Sequence, residues 1–366
     1  DEDGRKWLVN MMWDHRSNKH SFYGIVLQEY SVEEQKLVGE SKVIYKGTEL
    51  GLTEAPHLYK MNGYYYLLVA EGGTKFEHAS SVSRSKNIDG PYELHPHDPL
   101  ISSWAHPLLP LQKAGHGSFV ETQNGEWYFA HLTGRPLKLD GVKMLESRGY
   151  CPLGRETAIQ KVYWENDWPY IVGGNKPSVE VEAPDLPEHT FEMNYPVKDE
   201  FDSEELNIHF NTLRIPFNEE IGSLTERPGH LRLYGRESLH SLFTQSLVAR
   251  RWQSFEFIAE TKVAFEPESF QQMAGLICYY NTRNWTTANV TWNEEKGRVI
   301  DLMACERFET THPIQGNEIP VPEDVESVYF RVEVDAKHYY FSYSFDGENY
   351  ERIDVAFDSY KLSDDY

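Results

Sequence analysis

At 366 residues the chain is too long for one ordinary domain, and two are expected. A net charge of −23 argues against nucleic acid or an anionic membrane as partner, since both demand a basic face, and leaves a neutral substrate as the natural ligand. Aromatic residues make up 14 % (23 Tyr, 18 Phe, 9 Trp), a composition that favours strands and supplies flat apolar faces suited to sugar rings.

The chain opens on an Asp3-Gly4 turn feeding the strand-like residues 6–12, and the polar-aromatic group Trp13-Asp14-His15-Arg16 follows. Starting at Asp1 with a strand at once, it reads as though something preceded it. Further strands are expected at 23–30 and 42–45. A Gly/Thr-rich approach then leads into Leu52-Thr53-Glu54-Ala55-Pro56-His57, where Pro56 holds the backbone extended. Asn62-Gly63 repeats the opening turn before Tyr64-Tyr65-Tyr66-Leu67-Leu68, and a strand is expected at 79–84. Gly115-His116-Gly117-Ser118 comes before the third copy, Asn124-Gly125-Glu126-Trp127-Tyr128-Phe129-Ala130. The cluster Arg148-Gly149-Tyr150-Cys151-Pro152-Leu153-Gly154-Arg155-Glu156-Thr157 precedes a strand at 159–164, and Asn166-Asp167-Trp168 closes the series.

Each copy is an Asx-Gly turn into a β-prone run, the strongest short hairpin signal. The glycines at 4, 63 and 125 set a period of about sixty residues, which suggests propeller blades rather than a sandwich with similar hairpins. Closure takes about four to eight blades, and roughly three are legible here, the first entered halfway.

Residues 176–198 read as a linker, with prolines at 177, 184, 187 and 196 among acidic residues. Beyond it, longer alternating strands at 230–234, 255–265, 275–280, 328–334, 339–345 and 350–357 predict a β-sandwich, with Asp346-Gly347 as a hairpin turn. Cys151, Cys278 and Cys305 are odd in number and far apart, which is no disulfide framework and favours a reducing, cytoplasmic setting. The sequons at Asn284 and Asn289 are read as chance.

On a propeller, strand starts lie near the central axis, which makes Glu54 a candidate general acid. Spacing alone favours a salt-bridged Glu. By the blade repeat, His116 occupies the position corresponding to Glu54, where it could bond a sugar hydroxyl or hold a cation, its flanking glycines admitting a ligand closely. Arg148 and Arg155 could position substrate, or Arg155 could pair with Glu156. Trp13 is a stacking platform or a core residue.

Residues 10–16 (NMMWDHR), 52–59 (LTEAPHLY), 148–161 (RGYCPLGRETAIQK), 243–253 (FTQSLVARRWQ) and 270–280 resemble β-xylosidases of glycoside hydrolase family 43. The resemblance implies an all-β fold, a five-bladed β-propeller followed by a concanavalin-A-like β-sandwich. Residues 1–175 would be the C-terminal part of the propeller and 199–366 a sandwich truncated at its C-terminus. It also implies inverting hydrolysis of β-1,4-xylosidic bonds in xylo-oligosaccharides from the non-reducing end, with α-L-arabinofuranosidase side activity in some members. Carried over, Glu54 matches the general acid, and Arg155 and His116 match substrate-pocket residues. His116 lies by a divalent cation (calcium) in some members, no cofactor being required, and Trp13 matches an aromatic on the aglycone side.

The family's general-base Asp and acid-tuning Asp have no match; Asp1, Asp3 and Asp14 stand in the wrong context. An inverting enzyme needs its base about 6.5–9.5 Å from the acid, so this chain alone is expected to be nearly inactive. The competing reading is a non-catalytic carbohydrate-binding protein. A homo-oligomer built through the sandwich is expected.

Overall fold

The computed structural model describes residues 1–16, 18, 21–141, 148–190 and 197–366; Pro196 of the expected linker falls outside them. The described residues contain strands, turns and one 3-10 turn at Ser359–Lys361, with no α-helix among them. Two compact units divide the chain, Asp1–Glu188 together with Asp365, and His189–Asp364 with Tyr366.

The first unit holds three antiparallel sheets. One is built from β1 (Lys6–Asp14), β2 (Ser21–Ser31) and β3 (Lys36–Tyr45) in that order. The next runs β4 (Glu54–Met61), β5 (Tyr64–Glu71), β6 (Ala79–Ser85), β7 (Glu93–Leu94), with β8 (Ile101–Ser102) also on β6. The last is β9 (Gln112–Glu121), β10 (Trp127–Gly134), β11 (Glu156–Glu165), β12 (Trp168–Ile171). Up-and-down antiparallel sheets in series are propeller blades. The repeat turns fall where expected, and Gly4, Gly63 and Gly125 take φ values of 85°, 73° and 78°, a left-handed conformation that glycine adopts without steric cost.

Strand β5 shows why the second repeat reads as an unbroken apolar run. Tyr66 and Leu68 pack with Val82, Phe119, Phe129 and Trp168, while Leu67 and Val69 pack with Ile25, Leu27 and Ile44. Successive side chains point to opposite faces, so a middle blade buried on both sides needs apolar residues at every position. Lys113 is also almost fully buried, and its Nζ lies 2.7 Å from the buried Asp365 Oδ1 within the same unit.

The second unit is a two-sheet sandwich. One sheet is centred on Ala274–Asn281, Asn284–Asn293 and Gly297–Glu306, the other on Glu256–Val263, Val328–Asp335 and His338–Ser344. Cys278, Ala288, Val290, Ile300 and Leu302 share one core with Phe330, Val332, Val334, Tyr339 and Phe341. The Asp346-Gly347 turn forms as expected, the Asp346 carboxylate accepting backbone N–H bonds from Glu348 and Asn349.

Three expectations in this unit are corrected. The strand at 230–234 shrinks to Arg232–Leu233. The one at 350–357 breaks into Glu351–Arg352 and Phe357–Asp358, because the chain tightens at Ile353, whose carbonyl accepts the Val355 N–H. The central hairpin at 284–306 was not foreseen, its first strand carrying Thr and Asn at alternate positions that are also buried. Asn284 and Asn289 are 8 % and 2 % exposed, which removes both sequons from reach of a glycan. All three cysteines are buried and unpaired, as their spacing implied.

Candidate active site

Glu54 is the first residue of β4 and pairs with Ala70 of β5; the next pair is His57 with Leu68. Two residues of β4 thus oppose one of β5, a β-bulge, with Ala55 held at φ 48°. Glu54 is half-buried, and among the described residues no Lys, Arg or His lies within ion-pair distance of it. The salt-bridged alternative finds no partner there.

The third sheet has the same device. Gly117 pairs with His131 and Gly115 with Leu132, leaving His116 as the bulged residue at φ 47°. Counted back from the matching pairs His57–Leu68 and Gly117–His131, Glu54 lies three residues ahead and His116 one, so His116 does not occupy the ladder position of Glu54. The two-residue offset from the sequence expectation arises at the hairpin, where the two-residue Asn62-Gly63 turn is replaced by a longer loop closed by Thr122 N–H to the Glu126 carbonyl. Packing alone already requires glycine at both flanking positions. A Cβ on Gly115 would lie 2.5 Å from His78 Cδ2, and one on Gly117 2.4 Å from the Phe129 ring.

The exposed His116 sits with its ring 6.5 Å from that of His78. His78 is 2 % exposed, its Nδ1 bonds the Gly73 carbonyl, and burial pushes its pKa down to about 4. The charges of His116, Arg155 and His131 add to that depression, which places Arg155 and His116 around the same buried imidazole. His57, three residues after Glu54, is held below the ordinary range by burial and by the His116 charge, and its Nδ1 lies 3.2 Å from Tyr59 Oη. His116 and Arg155 both act on His78, and His116 also acts on His57, three residues after Glu54 in the chain. Neither His57 nor His78 was singled out from the sequence. The Gly72-Gly73 pair five residues ahead of His78 was the available signal, since it shapes the loop that receives the imidazole.

Trp13 is half-buried at the end of β1, opposite Phe22, where the β1–β2 register slips; β1 itself lies beside β4. Arg148 is committed to the fold. It stacks 4.2 Å from the Trp104 ring and donates to the Ser103 and Trp104 carbonyls and to Gln112 Oε1. Glu156 pairs with Arg135 through three contacts of 2.6–3.2 Å, so the anticipated Arg155–Glu156 alternative is not the pairing found.

Beneath Glu54 lies a buried polar knot that the sequence reading missed. Glu71, at the end of β5, is 0 % exposed. Its Oε1 accepts bonds from Thr48 N (2.8 Å) and Thr53 Oγ1 (2.7 Å), and its Oε2 from Thr48 Oγ1 and Ser81 Oγ (both 2.7 Å). Asp98 adjoins Ser81 and is pushed up to about 6, chiefly by burial, with Glu71's charge adding to the rise.

The candidate carboxylates for a second catalytic role are engaged elsewhere. Asp1 accepts bonds from Tyr65 Oη and Lys60, Asp3 from Arg5, and Asp14 from Arg16. Among the described residues no three His, Cys, Asp or Glu cluster at metal-holding spacing. Calcium takes six to eight oxygen ligands, and the side chains whose titration the His116 charge reaches, His57 and His78, offer nitrogen bases rather than oxygens.

Propeller blades with a carboxylate presented at an inner bulge, joined to a lectin-like sandwich, define a carbohydrate-active class of protein. The first part, residues 1–169, matches the model of glycosyl hydrolases family 43, and residues 198–366 match the β-xylosidase C-terminal concanavalin A-like domain. The chain is 58 % identical over its whole length to the β-xylosidase of Bacillus subtilis, of which it covers 68 %. It is 42 % identical to xylosidase/arabinosidase 43B of Humicola insolens, covering all of this chain and 66 % of that one. A crystal structure of xylan β-1,4-xylosidase from Bacillus halodurans superposes with a TM-score of 0.93 at 53 % identity, covering 100 % of this chain and 68 % of that one. The chain belongs to glycoside hydrolase family 43. Among the described residues no helix is long and apolar enough to cross a membrane.

Proposed function

We propose that this protein is an exo-acting, inverting β-xylosidase that releases xylose from the non-reducing end of β-1,4-linked xylo-oligosaccharides, with α-L-arabinofuranosidase side activity. The observation that carries the reading is Glu54: a half-buried carboxylate without a cationic partner among the described residues, presented by a bulge at the start of an inner blade strand. Identity to a β-xylosidase along the whole chain, and to a xylosidase/arabinosidase, supports the substrate class.

In this reading Glu54 protonates the departing glycosidic oxygen while a second carboxylate, on the opposite face of the sugar, activates water. Arg155 and His116 hold the sugar hydroxyls through charge-assisted and neutral hydrogen bonds, and Trp13 stacks on the aglycone side. The ion-paired Asp1, Asp3 and Asp14 are unsuited to the base role, so this chain assayed by itself should turn over little xylobiose. No step in this reading depends on a cation beside His116. The unpaired buried cysteines support a cytoplasmic setting. Assembly as a homo-oligomer through the sandwich belongs to the same proposal.

The test is product analysis of xylobiose incubated with the intact protein, with the anomer of the released xylose read by NMR. Release of α-xylose supports the proposal. Retention of the β configuration refutes the inverting mechanism, and binding without hydrolysis identifies a carbohydrate-binding protein instead.

A further inference from the structure

The carboxylate of Glu71 sits in the core without an ion-pair partner among the described residues. Carrying a carboxylate into a core costs more than filling the space with apolar atoms. What it does is collect donors. Its four hydrogen bonds use the acceptor positions of both oxygens. Three of the four donors, Thr48 N, Thr48 Oγ1 and Thr53 Oγ1, lie in residues 48–53, the six that lead into Glu54. The fourth, Ser81 Oγ, ties the knot to β6.

The surrounding backbone is shaped to the same end. Gly47 sits at φ 81°, where a Cβ would come 2.1 Å from Thr53 Oγ1 and 3.0 Å from Glu71 Oε1. Gly72 N–H bonds the Gly51 carbonyl, closing the segment onto the residue after Glu71. Thr53 itself is 1 % exposed, so the residue adjoining Glu54 is immobilised through its side chain as well as its backbone. Immediately beyond, the bulge at Ala55 turns the chain back into the ladder. Glu54 is thereby held between a pinned Thr53 and a bulge.

We propose that Glu71 is a positioning residue for proton donation: by clamping Thr48 and Thr53 it sets where the Glu54 carboxyl meets the glycosidic oxygen. This rests on the reading of Glu54 as general acid. A carboxyl misplaced by about 1 Å costs roughly 100-fold in rate, and only where its proton is needed. Binding of the sugar, which Glu71 does not touch, should be spared.

The experiment compares Glu71→Ala, Glu71→Gln, Thr53→Val and Glu54→Ala in the intact protein on xylobiose and on 2,4-dinitrophenyl xyloside, whose leaving group departs without protonation. Glu71→Ala should lower kcat on xylobiose about 100-fold with KM within about threefold, and kcat on the activated xyloside less than about tenfold. Glu71→Gln, which keeps an acceptor for Thr48 N and Thr53 Oγ1, should recover most of the loss. Thr53→Val should show the same preference for the activated substrate at smaller amplitude, and it decides the question if Glu71→Ala does not fold. Equal losses on both substrates, or no loss, overturn the proposal. If Glu54→Ala itself shows no leaving-group discrimination, the general-acid reading fails first; if it does and the Glu71 and Thr53 variants do not, only the positioning role is lost.

Discussion

Replacing Gly47 by Ala tests the geometry around the candidate acid, with Gly51→Ala as its internal control. Both glycines are left-handed, at φ 81° and 67°. An L-residue there costs about 1–2 kcal/mol, a term common to the two variants. At Gly51 nothing lies within 4 Å of the new Cβ, so that term should be the whole effect. At Gly47 the Cβ would stand 2.1 Å from Thr53 Oγ1, which must leave its 2.7 Å bond to Glu71. Losing a hydrogen bond to a carboxylate adds about 1.5–3 kcal/mol. At roughly 2–4 °C per kcal/mol for a unit of this size, Gly51→Ala should lower Tm by about 2–8 °C and Gly47→Ala by about 5–20 °C. Scanning calorimetry and urea titration on the two variants give the difference directly. If their stabilities agree within about 0.5 kcal/mol, the clash is relieved without breaking the Thr53–Glu71 bond, and the account of the knot is wrong.

The remaining predictions are shorter. Glu54→Ala in the intact protein should reduce xylobiose hydrolysis by about 100-fold or more and spare activated aryl xylosides, as removal of a general acid requires; equal losses would assign Glu54 another role. Burial holds His78 and His95 at about 4 in place of 6.5, so folding favours their neutral forms; the stability they contribute is full above pH 6.5 and is lost as pH falls towards 4. Asp98, raised from 3.8 to about 6, has the opposite sign: folding favours its protonated form, and stability drains as pH rises through that window. Asp98→Asn should therefore steepen the acid-side loss and raise the urea midpoint at about pH 8; an unchanged midpoint-versus-pH curve would refute the assignment. Light scattering should report a mass above that of one chain, and a monomer would refute assembly through the sandwich.

Much of the molecule was legible in contiguous residues. The Asx-Gly turns at 63 and 125 and the strands they feed stand where the local pattern put them, because a left-handed glycine and a β-branched or aromatic run need no distant partner to declare themselves. Glu54 was found the same way, as a carboxylate at a strand start. The central sandwich strands were missed for the complementary reason. Thr287, Asn289 and Thr291 look like surface residues, yet they are 7 % exposed or less, and all three spend their polar atoms on carbonyls well away in sequence.

By itself, then, the sequence determined the all-β class, the blade repeat, the second domain's sandwich and the family resemblance, all properties of local periodicity, turn chemistry and motif. Only the tertiary structure decided that His116 does not share the ladder position of Glu54, that the buried His78 feels both His116 and Arg155, and that Glu71 gathers the segment leading to Glu54. Those facts depend on strand register, on burial and on donors that converge from different strands. A bulge shifts register by one residue without any mark in the local pattern, and a carboxylate's partners are chosen by the fold, not by its neighbours in the chain.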